Sequence, residues 1–115
     1  MLFGNAADKI DGFVAKGKSQ KVIPLLETKN KETRLRAIEA LGKIADDHCV
    51  HALIPLLSDS DPEIRKQTAI SMGDMKKDVC KTHLQNRVQI EKDHDVLDAI
   101  HDAIMRITKE VGLVK

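Results

Sequence analysis

The sequence Ile23-Pro24-Leu25-Leu26 returns 31 residues later as Ile54-Pro55-Leu56-Leu57. The same offset superposes further identical residues, among them Arg34 on Arg65, Gly42 on Gly73 and Cys49 on Cys80. A third copy follows with one inserted residue, so that Asp61 meets Asp93. Repeats of about twenty to fifty residues are typical of stacked supersecondary units, in which each unit packs against the next.

Each unit contains two helical stretches joined by a polar turn. In the second unit an apolar stripe at i, i+3, i+4 and i+7 predicts a helix that begins near Asp46 or Asp47. The stripe consists of Val50, Leu53, Ile54 and Leu57. Asp61 is the predicted N-cap of the second helix and Pro62 its first residue, because these residue types favour those positions. Asn30 and Asp93 hold the same capping position in the other two units.

Proline and glycine recur at fixed places in the units. Pro24 and Pro55 lie inside apolar runs, and we expect each to bend the first helix of its pair because proline removes a helical hydrogen bond. Gly42 and Gly73 are interpreted partly as points of close approach between helices. Upstream, residues 5–16 are predicted to form one further helix that Gly17 closes in a left-handed cap.

These patterns predict an all-α protein of seven helices, in which about three helix pairs follow an N-terminal helix. The 115 residues are expected to form a single repeat domain. Its expected parts are an N-terminal capping helix at 1–17, helix pairs at 18–45, 46–77 and 78–110, and a tail at 111–115. A pair of this size cannot bury its own apolar face, so its stability depends on its neighbours.

The run from Val22 to Met75 resembles the HEAT repeat family, and most closely the short phycobilisome-lyase-type HEAT-like repeats. The elements that carry the resemblance are IPLL at 23–26 and 54–57, SDSDPEIR at 58–65 and ALGKIADD at 40–47. The resemblance implies a right-handed α-α superhelix, and it implies that Asp59 or Asp61 bonds along the stack with Arg34 and Arg65. The third unit departs from the pattern at Leu97 and Met105, and we expect it to be the terminal cap.

The composition excludes several functional classes. Nineteen basic and eighteen acidic side chains leave a net charge of +1, and only 2% of residues are aromatic, which counts against nucleic-acid binding. The sequence has no apolar run near the about 20 residues of a membrane span and no secretory leader, so we expect a soluble, cytoplasmic chain that does not bind membranes. Cys49 and Cys80 are then expected to be free thiols in a reducing compartment.

Histidine and cysteine side chains gather near two equivalent helix starts and again on the last helix. The weak candidates for metal ligands are His48, His51, His83, His94, Asp98 and His101. Cys49 and Cys80 fall in the slot that packs inward, and His94 and His101 lie about 10 Å apart along their helix, too far to share one ion. We therefore favour buried thiols and a solvated helix face, and expect no metal and no cofactor.

By analogy with other proteins of this fold, we expect a module that binds another protein. It contains no Gly-rich phosphate loop, nucleophile elbow or zinc-protease motif, so an enzyme is not expected. In stacked pairs the second helices line the concave side. The candidate contacts there are Leu35, Arg36, Glu39, Lys66, Ile70 and Asp98, called below the second-helix row. The alternatives are nucleic-acid binding on this face and, by resemblance, an accessory role in tetrapyrrole or metal chemistry. The chain is expected to be a monomer or a weak homodimer.

Overall fold

The structure is a computed structural model that describes the backbone of residues 6–113 and the side chains of residues 8–109. Seven α-helices and two 3₁₀ segments make up this part of the chain, and it contains no strand. The α-helices are α1 (Ala6–Ala15), α2 (Ser19–Val22), α3 (Lys31–Ile44), α4 (Asp47–Leu53), α5 (Pro62–Met75), α6 (Asp78–Val88) and α7 (His94–Leu113). The prediction of an all-α solenoid is therefore confirmed. Helix α7 continues three residues into the expected tail, whose residues 114 and 115 lie outside the described part, as do residues 1–5.

The helices form two layers. Helices α1, α3, α5 and α7 lie side by side in chain order, and the contacts of α5 with α3 and with α7 are the most extensive between any two helices. Helices α2, α4 and α6 cover one side of this row and form the outer layer. The molecule measures 46 × 33 × 20 Å, as expected for a short stack. Among residues 6–113, no helix combines the length and the apolar character that crossing a bilayer requires.

The core lies between the two layers. Val22, Leu53 and Leu84 are fully buried and come from one equivalent position in the three outer helices. The inner helices supply Ile38, Leu41, Ile64, Met72, Ile100 and Ile107, each at most 2% exposed. Burial of side chains of this size stabilises a fold by about 1.5–3 kcal/mol each. Extensive contacts also join α3 to α5 and α5 to α7 within the inner layer, so each unit packs against its neighbours.

Pro24 and Pro55 have a different local effect from the expected bend. At each of them the first helix of the pair tightens into a 3₁₀ segment, Ile23–Glu27 after α2 and Ile54–Ser58 after α4. Proline is the second residue of each segment, where its missing N–H removes a hydrogen bond that an α-helix needs. Helix α6 has no proline and runs without interruption to Val88.

Non-glycine residues end two of the helices in the left-handed conformation. Ala45 closes α3 with φ 58° and Lys76 closes α5 with φ 56°, again 31 residues apart. Gly17 follows α1 with φ 64°. Left-handed backbone is unfavourable for residues with a Cβ, so the packing of the units must hold Ala45 and Lys76 in place.

Gly42 and Gly73 lie where neighbouring inner helices come closest. A Cβ on Gly42 would stand 2.8 Å from the Cβ of Ser71 in α5, and one on Gly73 would stand 3.0 Å from Ala103 in α7. In the third unit the same position holds Met105, which is 67% exposed on α7. A side chain of that size leaves no room for another helix at this distance.

Candidate functional site

The second-helix row runs across the exposed faces of α3, α5 and α7. Its charged members, Arg36, Glu39, Lys66 and Asp98, are exposed, whereas Leu35 and Ile70 are half-buried. Because α5 packs directly against both α3 and α7, the six residues lie on three neighbouring helices. The six residues are therefore distributed over adjacent helices of the inner layer, and Leu35 also packs against the core.

Two open depressions border this row. The first, of about 260 Å³, lies between α1 and α3 and includes Arg36 and Glu39. It is lined by Ile10, Asp11, Val14, Arg36, Glu39, Ala40 and Lys43. The second, of about 390 Å³, lies at the N-terminal ends of the inner helices and includes Lys66. It is lined by Lys31, Asp61, Pro62, Glu63, Lys66, Asp93 and Asp95.

The first depression lies beside α1, the first helix of the inner layer. Gly12 of α1 has open space where its Cβ would be, with nothing within 4 Å, so it makes no close approach to a neighbour. Ile10 and Val14, which are larger, line the groove instead. The glycine contacts of α3 with α5 and of α5 with α7 have no counterpart here.

The turn edge beside the second depression joins the first two units by charge. Lys31 Nζ lies 2.9 Å from Asp61 Oδ2 and 2.6 Å from Glu63 Oε1. Hydrogen bonds to Glu63 and Asp61 raise the pKa of Lys31, and the bond from Lys31 lowers the pKa of Asp61. Asp61 Oδ1 also accepts the backbone N–H of Glu63 at 2.9 Å and caps α5. The single ammonium group of Lys31 is thus shared between two carboxylates of the next unit.

A buried carboxylate joins the second and third units. Glu91 Oε1 and Oε2 accept hydrogen bonds from Arg65 Nε and Nη2, both at 2.9 Å, and its side chain is 1% exposed. Arg87 Nε donates to Oε1 at 3.0 Å, and the backbone N–H of Asp93 donates to Oε2 at 3.0 Å. Burial alone would raise the pKa of Glu91, but the bonds from Arg65, Asp93 and Arg87 outweigh burial and lower the pKa to about 2.

The resemblance implied a different pairing for the turn arginines. Arg34 Nη1 donates to the carbonyl of Thr28 at 2.8 Å, and Arg65 Nη1 donates to the carbonyl of Asp59 at 2.8 Å, both within their own units. The carboxylate of Asp59 accepts the N–H of Asp61 at 2.8 Å, so it serves the turn itself. The acid that Arg65 meets along the stack is Glu91, and the partner of Asp61 is Lys31. The expected bonds along the stack between Asp59 or Asp61 and these arginines are therefore wrong.

Sequence reasoning missed Glu91, although a signal for it exists. The offset of 32 that aligns Asp61 with Asp93 also places Asp59 on Glu91, so the turn acid recurs as a longer residue. The extra methylene and the inserted residue let its carboxylate reach Arg65 in the preceding unit, 26 positions back.

The structure does not gather the candidate metal ligands into a site. Among the described side chains no group of three His, Cys, Asp or Glu residues is placed to hold a metal ion. His48, His51, His94, Asp98 and His101 are exposed, and His83 is half-buried. Cys49 and Cys80 are fully buried and not joined in a disulfide. Burial raises the pKa of Cys49 to about 11 and also raises that of Cys80, so both thiols stay protonated near neutral pH.

Comparison with known families gives one result. The family model for HEAT repeats matches residues 19–105, which include α2 to α6 and most of α7. The match concerns HEAT repeats in general and does not test the closer resemblance to the lyase-type repeats. Comparison with curated proteins gives no match.

Proposed function

Because the chain belongs to the HEAT repeat family, whose members are generally protein-interaction scaffolds, we propose that it is a non-catalytic docking module for another protein. The partner segment binds across the second-helix row on α3, α5 and α7. The observation that carries this proposal is that Ile70, an apolar side chain that folding leaves half-buried, lies on α5 between two helices whose row residues are mostly exposed and charged. Accessible apolar side chains in a polar frame are typical of protein-binding surfaces.

The distribution of charge supports a binding role over a catalytic one. The acid with the strongly lowered pKa, Glu91, is enclosed by Arg65 and Arg87 and has no free oxygen for a substrate. The thiols of Cys49 and Cys80 are buried and protonated, which makes them poor nucleophiles. We further propose that the protein acts in the cytoplasm, where both thiols stay reduced.

Affinity capture with matched variants tests this function. Arg36→Glu and Ile70→Asp alter the second-helix row, and Ile90→Asp is the control because Ile90 is a 62% exposed apolar residue beyond α6, in the outer layer. We expect the wild type and Ile90→Asp to retain the same partner, and we expect each row variant to lose it. Circular dichroism establishes that Ile70→Asp is folded. If both folded row variants retain the partner as well as the control does, the proposal is wrong.

A further inference from the structure

Resting on the proposed function, we infer that the partner segment is extended and positively charged, with an apolar side chain on Ile70 and a basic side chain on Asp102. The inference concerns the chemistry of the partner, which the family match leaves open.

One position of the repeat defines where the partner segment would contact the three inner helices. Glu39, Ile70 and Asp102 are equivalent residues of the three units, separated by 31 and 32 positions. They lie on the adjacent helices α3, α5 and α7, so they form a line that crosses the helices. Glu39 and Asp102 are exposed and Ile70 is half-buried. An apolar contact therefore stands between two carboxylates.

The spacing of this line suits an extended peptide. Packed helices have axes about 8–10 Å apart. A peptide in the polyproline II conformation presents the same face every third residue and rises about 3.1 Å per residue, which gives about 9 Å between such side chains. When an apolar residue of the peptide lies on Ile70, the peptide side chain three positions along therefore reaches α7 in one direction or α3 in the other.

The charges favour a cation on the α7 side. Asp95, Asp98 and Asp102 are the only charged residues, histidines apart, between positions 94 and 105. The next cation along α7, Arg106, donates to Asp74 of α5 at 2.7 Å and so has a carboxylate partner already. Asp102 therefore offers its charge to a ligand.

The other positions around Ile70 attract a cation less strongly. Glu39 lies one helical turn from both Arg36 and Lys43 on α3, and these oppose a basic ligand there. Asp98 is equivalent to Lys66 of the neighbouring helix, so a cation stands beside it in the stack. Asp102 also has a cation one helical turn away, Arg106, but that guanidinium is bound to Asp74, and the equivalent residue on α5 is the apolar Ile70. The line from Ile70 to Asp102 therefore opposes a basic ligand least.

Peptide binding followed by fluorescence anisotropy tests the inference. The probe is a proline-rich peptide with one leucine and an arginine three positions later; matched peptides carry glutamate instead of arginine, or the arginine next to the leucine. We expect the wild type to bind the probe about tenfold more tightly than the glutamate peptide, and less tightly at high salt. Asp102→Lys is expected to reverse this preference. Glu27→Lys makes the same charge change on the outer layer, at an exposed residue, and is expected to preserve it.

Each other result would overturn the inference. These results are equal binding of the three peptides, no binding of the probe, or a preference that Asp102→Lys leaves unchanged. Sedimentation as a dimer that Asp102→Lys dissociates would assign the line to a second copy instead. Partner capture that Arg36→Glu abolishes would in each case keep the docking function and reject only the basic partner, so the two failures are distinguishable.

Discussion

Arg65 and Glu91, 26 residues apart in the chain, meet through two parallel hydrogen bonds of 2.9 Å. The pair connects the second helix of one unit to the turn of the next, and Arg87 completes it from the side. Paired guanidinium and carboxylate groups of this geometry are directional as well as strong. The contact thus sets how the third unit is placed on the second.

Removal of the Glu91 carboxylate is expected to be costly. Glu91→Ala leaves Arg65 and Arg87 without their acid partner, with side chains only 14% and 16% exposed. Loss of one member of a buried ion pair destabilises proteins by about 3–5 kcal/mol. Denaturant unfolding followed by circular dichroism measures the change. Asp74→Ala, which removes the partially exposed pair with Arg106, is the control and is expected to cost at most about 1 kcal/mol. If the two substitutions lower the free energy of unfolding equally, the buried Glu91 carboxylate stabilises the fold no more than the partially exposed Asp74 does.

The stability of the fold should depend on pH through the same carboxylate. The pKa of Glu91 falls from 4.5 to about 2 on folding, so its contribution is complete above pH 4.5 and is lost as the pH falls towards 2. Glu91→Gln removes this titration, and we expect the free energy of unfolding to fall less steeply over that interval in the variant. Denaturant unfolding at a series of acidic pH values gives both slopes. If the free energy of unfolding falls equally steeply with pH in the wild type and in Glu91→Gln, the lowered pKa of Glu91 is contradicted.

The close contacts between inner helices make a prediction with an internal control. Gly42→Ala puts a Cβ 2.8 Å from the Cβ of Ser71, so the helices must move apart, at a cost of about 1–3 kcal/mol. Gly12→Ala adds the same atom to α1 with nothing within 4 Å, and we expect it to stabilise by about 0.5–1 kcal/mol because alanine favours helix. Thermal unfolding of the two variants compares them directly. A stabilised Gly42→Ala variant would refute close approach at this point.

The left-handed conformation at the end of α3 predicts that a change from alanine to glycine stabilises the protein. Ala45→Gly relieves a methyl group at φ 58° and is expected to stabilise by up to about 1 kcal/mol. The control is Ala99→Gly inside α7, where glycine is expected to cost about 0.5–1 kcal/mol. Melting temperatures that shift in opposite directions would agree with this account, whereas two losses would indicate that the Ala45 methyl packs favourably enough to outweigh its backbone strain.

The repeated pattern of apolar side chains was sufficient to predict the helices. Val50 and Leu53 share one buried stripe of α4, and Asp46 caps that helix by accepting the N–H of Cys49 at 2.9 Å. Such features depend on neighbours in the chain, which a sequence displays directly. The selected residues from Leu35 to Asp98 also lie on adjacent helices, because equivalent helices of stacked units are neighbours.

The features that the sequence did not reveal depend on contacts between units. Nothing local distinguishes Glu91 from a surface acid, since its burial comes from arginines 26 and four positions away. Ala45 carries no mark of a left-handed cap, because tertiary packing overrides its preference. The 3₁₀ segments at Pro24 and Pro55 are one of several ways to accommodate a proline, and the residue type alone does not choose among them.

Met105 determines where this array can grow. Each earlier inner helix that receives a successor at close range offers it a glycine, and the last one offers a thioether chain to solvent. A copy of the middle unit inserted ahead of α6 would meet a glycine on the preceding inner helix and would offer one to the next. A copy appended after α7 would meet Met105 instead. A further unit packed at the distance of the earlier ones would therefore require a residue as small as glycine at position 105.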